Sequence, residues 1–382
     1  MAANLSSRSV CPNLLPVPKY TLIFCSLLLF REQDDEMMKT NLLNHFLWQP
    51  RGYVSSLQDL SQADGVVAKS DLTAVVGGTT SNGYPLIVVE LAGGKVIGDL
   101  RLAVTSADKV TGGVQSFFNC KEPLKHYLLR RRRFRIPRHR RGTALLLGTS
   151  NSDNYYHWLL DSLPRWKILQ EAGYTDYDCV LLHSKPFRFQ DETLDRLNVP
   201  EGKRLRCNKN FVHQFDRLVV PAMPFPLWQV APWACEWVRS LFPERSGGPE
   251  RIYLSRRDAG KRRLVNEAEL EGRLESMGFV CVQPEKMSVA KQAASFSAAK
   301  WVVAPHGAGL TNLVFAPHGA KVIELLYPEK QTPCYKHLAL ACGLRYASLL
   351  GTRTREVARH GERATEFTIE IREVLRLLTG NE

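Results

Sequence analysis

The sequence predicts an α/β protein: two Rossmann-like halves facing a cleft, preceded by a hairpin-rich β region at the N-terminal side. Three observations carry this. The 382 residues exceed the usual length of one domain. Apolar strand-like runs alternate with helical patterns from Thr143, and the alternation restarts after Gly247-Gly248-Pro249. Short β-type runs broken by glycine pairs fill the stretch from Gly52 to Ser106. With 44% hydrophobic, 23% charged and 9% aromatic residues, the composition is globular and excludes disordered, collagen-like and coiled-coil classes.

Taken in order, residues 1–50 read as a leader without its own fold. The run Tyr20–Phe30 is about half of the roughly 20 residues a membrane-spanning helix needs, and the polar REQDDE ends it. No small-residue cleavage site follows, which argues against secretion, and Met37 and Met38 offer later starts. Residues 51–248 form the N-terminal domain. Its β region holds YPLIVVEL and KVIGDLRLAV, with Gly77-Gly78, Asn82-Gly83 and Gly93-Gly94 read as hairpin punctuation. TALLLG, YDCVLLH and DRLVVPAM follow as strands, with helices from Asn154 toward Gln170 and over FQDETLDRLNV.

Residues 249–382 form the C-terminal domain. RIYLS, FVCVQ, KWVVA, KVIELL and LRYASLL are its strands. Asn266 with Glu269 suggests a capping box, Ser288 a second cap, and YKHLALAC a helix stopped by Gly343. Repeated β-α-β units of this length imply a parallel, doubly wound sheet. A last helix over Thr365–Leu378 carries Phe367, Ile371, Val374 and Leu378 on one stripe, so it packs back onto a domain.

The formal charge of +13 predicts attraction to polyanions. Nine cysteines stand without CxxC or Cys/His ligand spacing, which reads as reduced thiols of an intracellular protein. The run RRRRFRIPRHRR, Arg130–Arg141, fits an anionic lipid surface, an acidic or lipid-diphosphate acceptor, or a solvated linker. Nucleic-acid binding is the rival class; with only Phe134 for base stacking and no recognised motif, it is the less favoured reading.

The letters APHGA occur twice, at Ala304–Ala308 and Ala316–Ala320. The second copy precedes a strand and reads as a turn. The first follows KWVVA, at the carboxyl end of a parallel strand, where ligands bind in open α/β sheets. There Gly307 and Gly309 let the backbone approach a ligand, and Thr311 and Asn312 open a short helix whose amides suit an anion. His306 is either an added donor or a structural histidine. Ser255, Arg256, Arg257 and then Lys261, Arg262, Arg263 follow RIYLS, also at a carboxyl strand end. A guanidinium fork suits a diphosphate, although Lys261–Arg263 also fits a solvated loop. Glu324, in an apolar strand, either accepts sugar or ribose hydroxyls or satisfies a backbone turn. In NYYHWLLDSLPRWKIL, His157, Asp161 and Arg165 recur at helical spacing and suggest a polar face toward the cleft, the alternative being a surface Asp161–Arg165 pair. Pro164 should kink this helix. Asp176–Asp178, DYD, precedes a strand instead of following one and is a poor metal motif.

Asn154–Arg165, Tyr253–Arg257, His306–Asn312 and Val322–Leu325, in that order, resemble glycosyltransferase family 61 over roughly residues 143–350. The resemblance implies a GT-B fold and inverting, metal-independent transfer of a hexosyl or pentosyl group, with no cofactor. It implies a nucleotide-sugar donor, a UDP-sugar first, with the diphosphate held by Arg256 and the Gly307–Asn312 loop; with the residues read above, the candidate donor set is Arg256, Arg257, His306, Gly307, Ala308, Gly309, Thr311, Asn312 and Glu324. A glycan or lipid-linked glycan acceptor would sit on the N-terminal domain near Asn154 and Arg165. Such transfer needs donors for the leaving diphosphate and a base for the acceptor hydroxyl. Asp161 and His157 are the candidates for that base, with Asp161 preferred. The expected location is cytoplasmic, peripheral on an inner membrane. A transferase of another group, such as pyruvyl, onto polysaccharide is the nearer competing reading.

Overall fold

The computed structural model describes residues 47–48, 52–54, 66–68, 88–98, 102–111, 134–208, 211–224, 229–257, 262–328, 332–359 and 362–380. The leader expected over 1–50, apart from Leu47–Trp48, lies outside them, as do Gly77-Gly78, Asn82-Gly83, Arg130–Arg133 and Lys261. The fold is mixed α/β, built on a ten-stranded and a five-stranded sheet with two small sheets beside them.

The larger sheet contains β1 (Val88–Ala92), β2 (Lys95–Ile97), β3 (Leu102–Val104), β4 (Lys109–Thr111), β5 (Arg138–Leu146), β6 (Cys179–Leu182), β7 (Arg204–Arg206) and β8 (Val212–Pro221). Its main path runs β7-β6-β5-β8-β2-β3-β4 and ends on Gly52–Val54. The first four strands of that path are parallel. Gly93-Gly94 does not make a hairpin. Ala92 faces Arg217 and Lys95 faces Gln214, so β1 and β2 continue one antiparallel register along β8. Gly93, at φ 64°, makes the break in that strand and donates its N–H to the Asp216 carbonyl. The hairpin-rich region therefore widens the first α/β sheet instead of forming a layer of its own.

The second sheet holds β9 (Arg251–Leu254), β10 (Val280–Val282), β11 (Trp301–Pro305), β12 (Lys321–Leu326) and β13 (Arg345–Leu350). All pair in parallel in the order β10-β9-β11-β12-β13, with buried apolar runs as an all-parallel sheet requires. A hairpin of β14 (Thr352–Arg359) and β15 (Glu362–Thr368) follows. The helix expected from Thr365 begins only at Ile371. Phe367, read as part of its stripe, is instead a buried strand residue paired with Leu264. Asn266 forms no capping box, because its side chain exchanges hydrogen bonds with the Ile369 backbone and so ties the hairpin's end to the second sheet.

The helices are α1 (Pro164–Glu171), α2 (Arg188–Arg196), α3 (Pro232–Ser240), α4 (Glu267–Ser276), α5 (Val289–Phe296), α6 (Cys334–Ala341) and α7 (Ile371–Thr379). Ser288 caps α5 by accepting from Lys291 N–H. The apolar stripe of α7, centred on Val374, packs back on the second sheet's core as expected. One continuous core runs from Leu145, Trp158 and Val238 to Val302, Leu313 and Leu338, so both sheets share a single apolar interior. Glu192 of α2 reinforces the join by accepting from the N–H groups of Val289 and Ala290 at 2.7 and 2.8 Å. Among the described residues, Cys179, Cys207, Cys235, Cys281, Cys334 and Cys342 form no disulfide.

The helix from Asn154 is broken as Pro164 requires: a π-helix covers His157–Ser162, closed by Leu163 N–H to the Trp158 carbonyl, and α1 starts anew at Pro164. The wider π-turn moves Arg165 off the face of His157 and Asp161. Arg165 is no acceptor residue, being 1% exposed, and its guanidinium donates to the carbonyls of Leu147, Gly148 and Pro221 at the ends of β5 and β8. Burial pulls its pKa down to about 9. Arg165→Met, which fills the space but leaves those carbonyls without donors, is expected to lower unfolding free energy by about 3 kcal/mol. A urea titration checks this; unchanged stability would remove the anchoring role.

Candidate functional site

The second sheet places β10 on one side of β9 and β11 on the other, so the chain reverses its direction of winding between β9 and β11. At such a switch point the following loops part and leave a crevice at the carboxyl ends of the strands. The loop after β9 brings Arg256 and the loop after β11 brings Gly307. A β-carbon at Gly307 would overlap Nη1 of Arg256 and stand 2.9 Å from its Cζ. The first APHGA copy and the arginine thus meet. The requirement is spatial, since Gly307 is extended at φ 177°.

Arg256 is held from behind. Buried Glu267 accepts from Arg256 N–H at 2.7 Å and from the Tyr253 hydroxyl at 3.0 Å, fixing the backbone at the strand end. Burial and the nearby Arg262 hold the Arg256 pKa below the usual arginine range. Both effects disfavour the bare cation, and an anion beside it would relieve both. A cavity of about 250 Å³ opens here, lined by Ser255, Arg256, Glu285, Gly307, Ala308 and Gly309 among others. Gly307 leads into a 3₁₀-helix, Ala308–Phe315, and the amides of Ala308 and Gly309 precede its first bond, Leu310 N–H to the Gly307 carbonyl.

Several residues expected at the donor stand behind this cavity instead. His306 is 6% exposed; its Nδ1 lies 2.5 Å from Glu324 Oε1, and its ring packs edge-on against Tyr327 and Tyr335. Glu324 is fully buried and takes the Tyr346 hydroxyl on its other oxygen at 2.6 Å, so neither sugar hydroxyls nor a backbone turn occupies it. Thr311 and Asn312 are fully buried. Asn312 accepts from the Tyr155 hydroxyl at 3.0 Å and donates to Gln292 at 2.6 Å, spanning the two sheets' layers. Arg257 turns outward into an ion pair with Glu271. Arg262 lies over the Tyr327 ring at 5.2 Å. The second APHGA copy is the expected turn, with Gly319 N–H bound to the Gly343 carbonyl.

On the first sheet, His157 Nδ1 lies 2.6 Å from Asp161 Oδ2 and both side chains keep slight exposure. They line neither this cavity nor its neighbour. Tyr156 connects them to the second sheet: its ring packs edge-on against His157 and against Tyr335, which in turn meets His306. Exposed Asn154 accepts from Tyr156 N–H at 2.9 Å and starts this turn. Asp178 accepts from Thr143 N–H at the start of β6, so DYD anchors a neighbouring strand. Among the described residues no group of three His, Cys, Asp or Glu is placed to hold a metal ion. The aromatic and acidic residues Tyr155, Phe189 and Glu285 around the crevice were missed in the sequence, where only their later proximity to Gly309 marks them.

A switch-point crevice with an arginine against a glycine loop stands where ligands bind in open α/β sheets. Residues 155–323 match the family model described as Glycosyltransferase 61, a match that takes in Arg256, Gly307 and the His157–Asp161 pair. The chain carries a glycosyltransferase family 61 domain over those residues, which implies a sugar donor and a glycan acceptor. No curated protein matches the chain.

Gly307→Ala tests the crevice without removing any charged group. The added methyl must push the Arg256 guanidinium aside, and binding of inorganic pyrophosphate, read by calorimetry, is expected to weaken by about tenfold. Wild-type affinity in that variant would mean that the guanidinium does not serve the anion.

Proposed function

We propose that the chain is an inverting, metal-independent glycosyltransferase of GT-B arrangement, moving a hexosyl or pentosyl group from a UDP-sugar to a glycan or lipid-linked glycan. Residues 249–382 form the donor side and 51–248 the acceptor side. The observation that carries the reading is the meeting of Arg256 with Gly307 at the switch point, inside the family-matched segment. The diphosphate lies in that crevice, against the guanidinium and the amides of Ala308 and Gly309. As the bond to the anomeric carbon breaks, negative charge grows on the leaving oxygen, and donors already fixed in place stabilise it without reorganisation. His306, tied to Glu324, and Asn312, tied to Tyr155 and Gln292, hold the loop that presents those amides.

The acceptor hydroxyl must lose a proton to a base on the opposite side of the sugar from the diphosphate. The His157–Asp161 pair is our assignment: Asp161 orients the imidazole and stabilises it once protonated, and His157, which lines neither cavity, takes the proton through one water. This reverses the order of preference read from the sequence, because Asp161 is the more buried partner and is occupied in holding His157. We place the enzyme in the cytoplasm, peripheral to an anionic membrane. The support is the exposed basic start of β5, where Arg138, Arg140 and Arg141 face solvent.

UDP is expected to raise the melting temperature, and the rise to persist in excess chelator. Arg256→Ala should lose that shift and cut sugar transfer by about 100-fold. His157→Gln should keep the shift and lose turnover by about 100-fold or more. A shift that requires added divalent metal, or a fully active His157→Gln, would falsify the corresponding part. Sedimentation with anionic vesicles that fails at high salt checks the membrane assignment; equal recovery with neutral vesicles would sink it.

A further inference from the structure

A second cavity, of about 280 Å³, adjoins the crevice and shares Pro284, Glu285, Ala308 and Gly309 with it. The far wall comes from the other sheet's layer: Tyr155, Arg188, Phe189 and Glu192, with Met287 beneath. This volume is just under the roughly 300–1,000 Å³ of pockets for drug-sized ligands and suits one sugar ring.

Its aromatic wall is rigid. Phe189 meets Tyr155 edge-on at 5.4 Å between ring centres and stacks on Phe187 at 5.4 Å. The Tyr155 hydroxyl is fastened to Asn312, and Glu192 is already engaged by the α5 amides. Arg188 and Glu285 are the exposed charged groups at the rim. A fixed aromatic surface bordered by a guanidinium and a carboxylate matches the two sides of a pyranose. The ring's C–H face is apolar and seeks an aromatic π-face, while its edge carries hydroxyls that both donate and accept. A lipid tail would leave both rim charges unused.

We infer that this cavity is the acceptor subsite, holding the terminal sugar of the glycan on Phe189 and Tyr155 with its hydroxyls between Arg188 and Glu285. The inference rests on the donor reading for the adjoining crevice and replaces Asn154 and Arg165 as the acceptor-side residues. Because Glu285 and Gly309 belong to both cavities, a sugar seated here has its hydroxyl edge at the mouth of the diphosphate crevice.

The test uses the full chain on an array of immobilised mono- and oligosaccharides with UDP present, and UDP affinity measured separately by calorimetry. Wild type is expected to retain a subset of glycans. Phe189→Ala should weaken that retention by about tenfold, Phe189→Tyr should restore it, and UDP affinity should stay within about twofold in both. Arg188→Ala, on an exposed side chain, should weaken retention several-fold and serves if Phe189→Ala does not fold. The inference is overturned if Phe189→Ala loses UDP as Arg256→Ala does, since the cavity would then hold the nucleoside. It is also overturned if both variants retain glycans like wild type, or if wild type retains none. Glycan retention that depends on Phe189 in a protein that binds no UDP would remove the donor reading alone and leave this one standing.

Discussion

The site depends on one steric fact, that a guanidinium lies where the side chain of residue 307 would be. Glycine at that position lets two loops from strands on either side of the switch point close to contact. The cost is a desolvated cation, and Glu267, which accepts from the Arg256 N–H and the Tyr253 hydroxyl, fixes the backbone behind it. Arg262 nearby makes the cost larger. On the proposed reading, an anion in the crevice would offset part of that cost.

Both sheets have a switch point, and an arginine stands at each. In the first sheet the chain reverses between β5 and β8, and the carbonyls of Leu147, Gly148 and Pro221 stand at the parting loops. Arg165 fills that position from within. In the second sheet the equivalent arginine arrives from the strand end itself, and it lines an open cavity. The same residue type at the same topological place is a structural plug in one layer and, on the proposed reading, a ligand group in the other.

The strands of the second sheet, their parallel direction and the meeting of Arg256 with the first glycine loop were legible, the last because it follows from where two strands end. Direction beyond the strand end was not. His306, Thr311, Asn312 and Glu324 sit in the right stretch, but their side chains point into the shared core, and no local pattern distinguishes the two faces of a short 3₁₀-helix. Arg165 was misread because an α-helical period was assumed across a π-turn. Gly93-Gly94 looked like a hairpin because glycine pairs do so locally; only the pairing with β8 makes them a break in a continuing strand. Phe189 and Glu285 are far apart in sequence, and their common cavity exists only through packing between α2 and α5.

That packing also bears on how transfer would proceed. Tyr155 to Asn312, and Glu192 to the start of α5, are hydrogen bonds that cross between the layers of the two sheets, and the apolar core beneath them is continuous. Wide separation of the layers would leave the Tyr155 hydroxyl and Glu192 without these partners and would expose apolar surface, so the arrangement resists opening. On the proposed reading, donor and acceptor then enter a site whose spacing is already set, and the entropy of bringing them together is met by binding rather than by closure. The chemical step gains from fixed donors around the diphosphate, and specificity falls to the rim, where Arg188 and Glu285 are the groups free to discriminate among hydroxyl patterns.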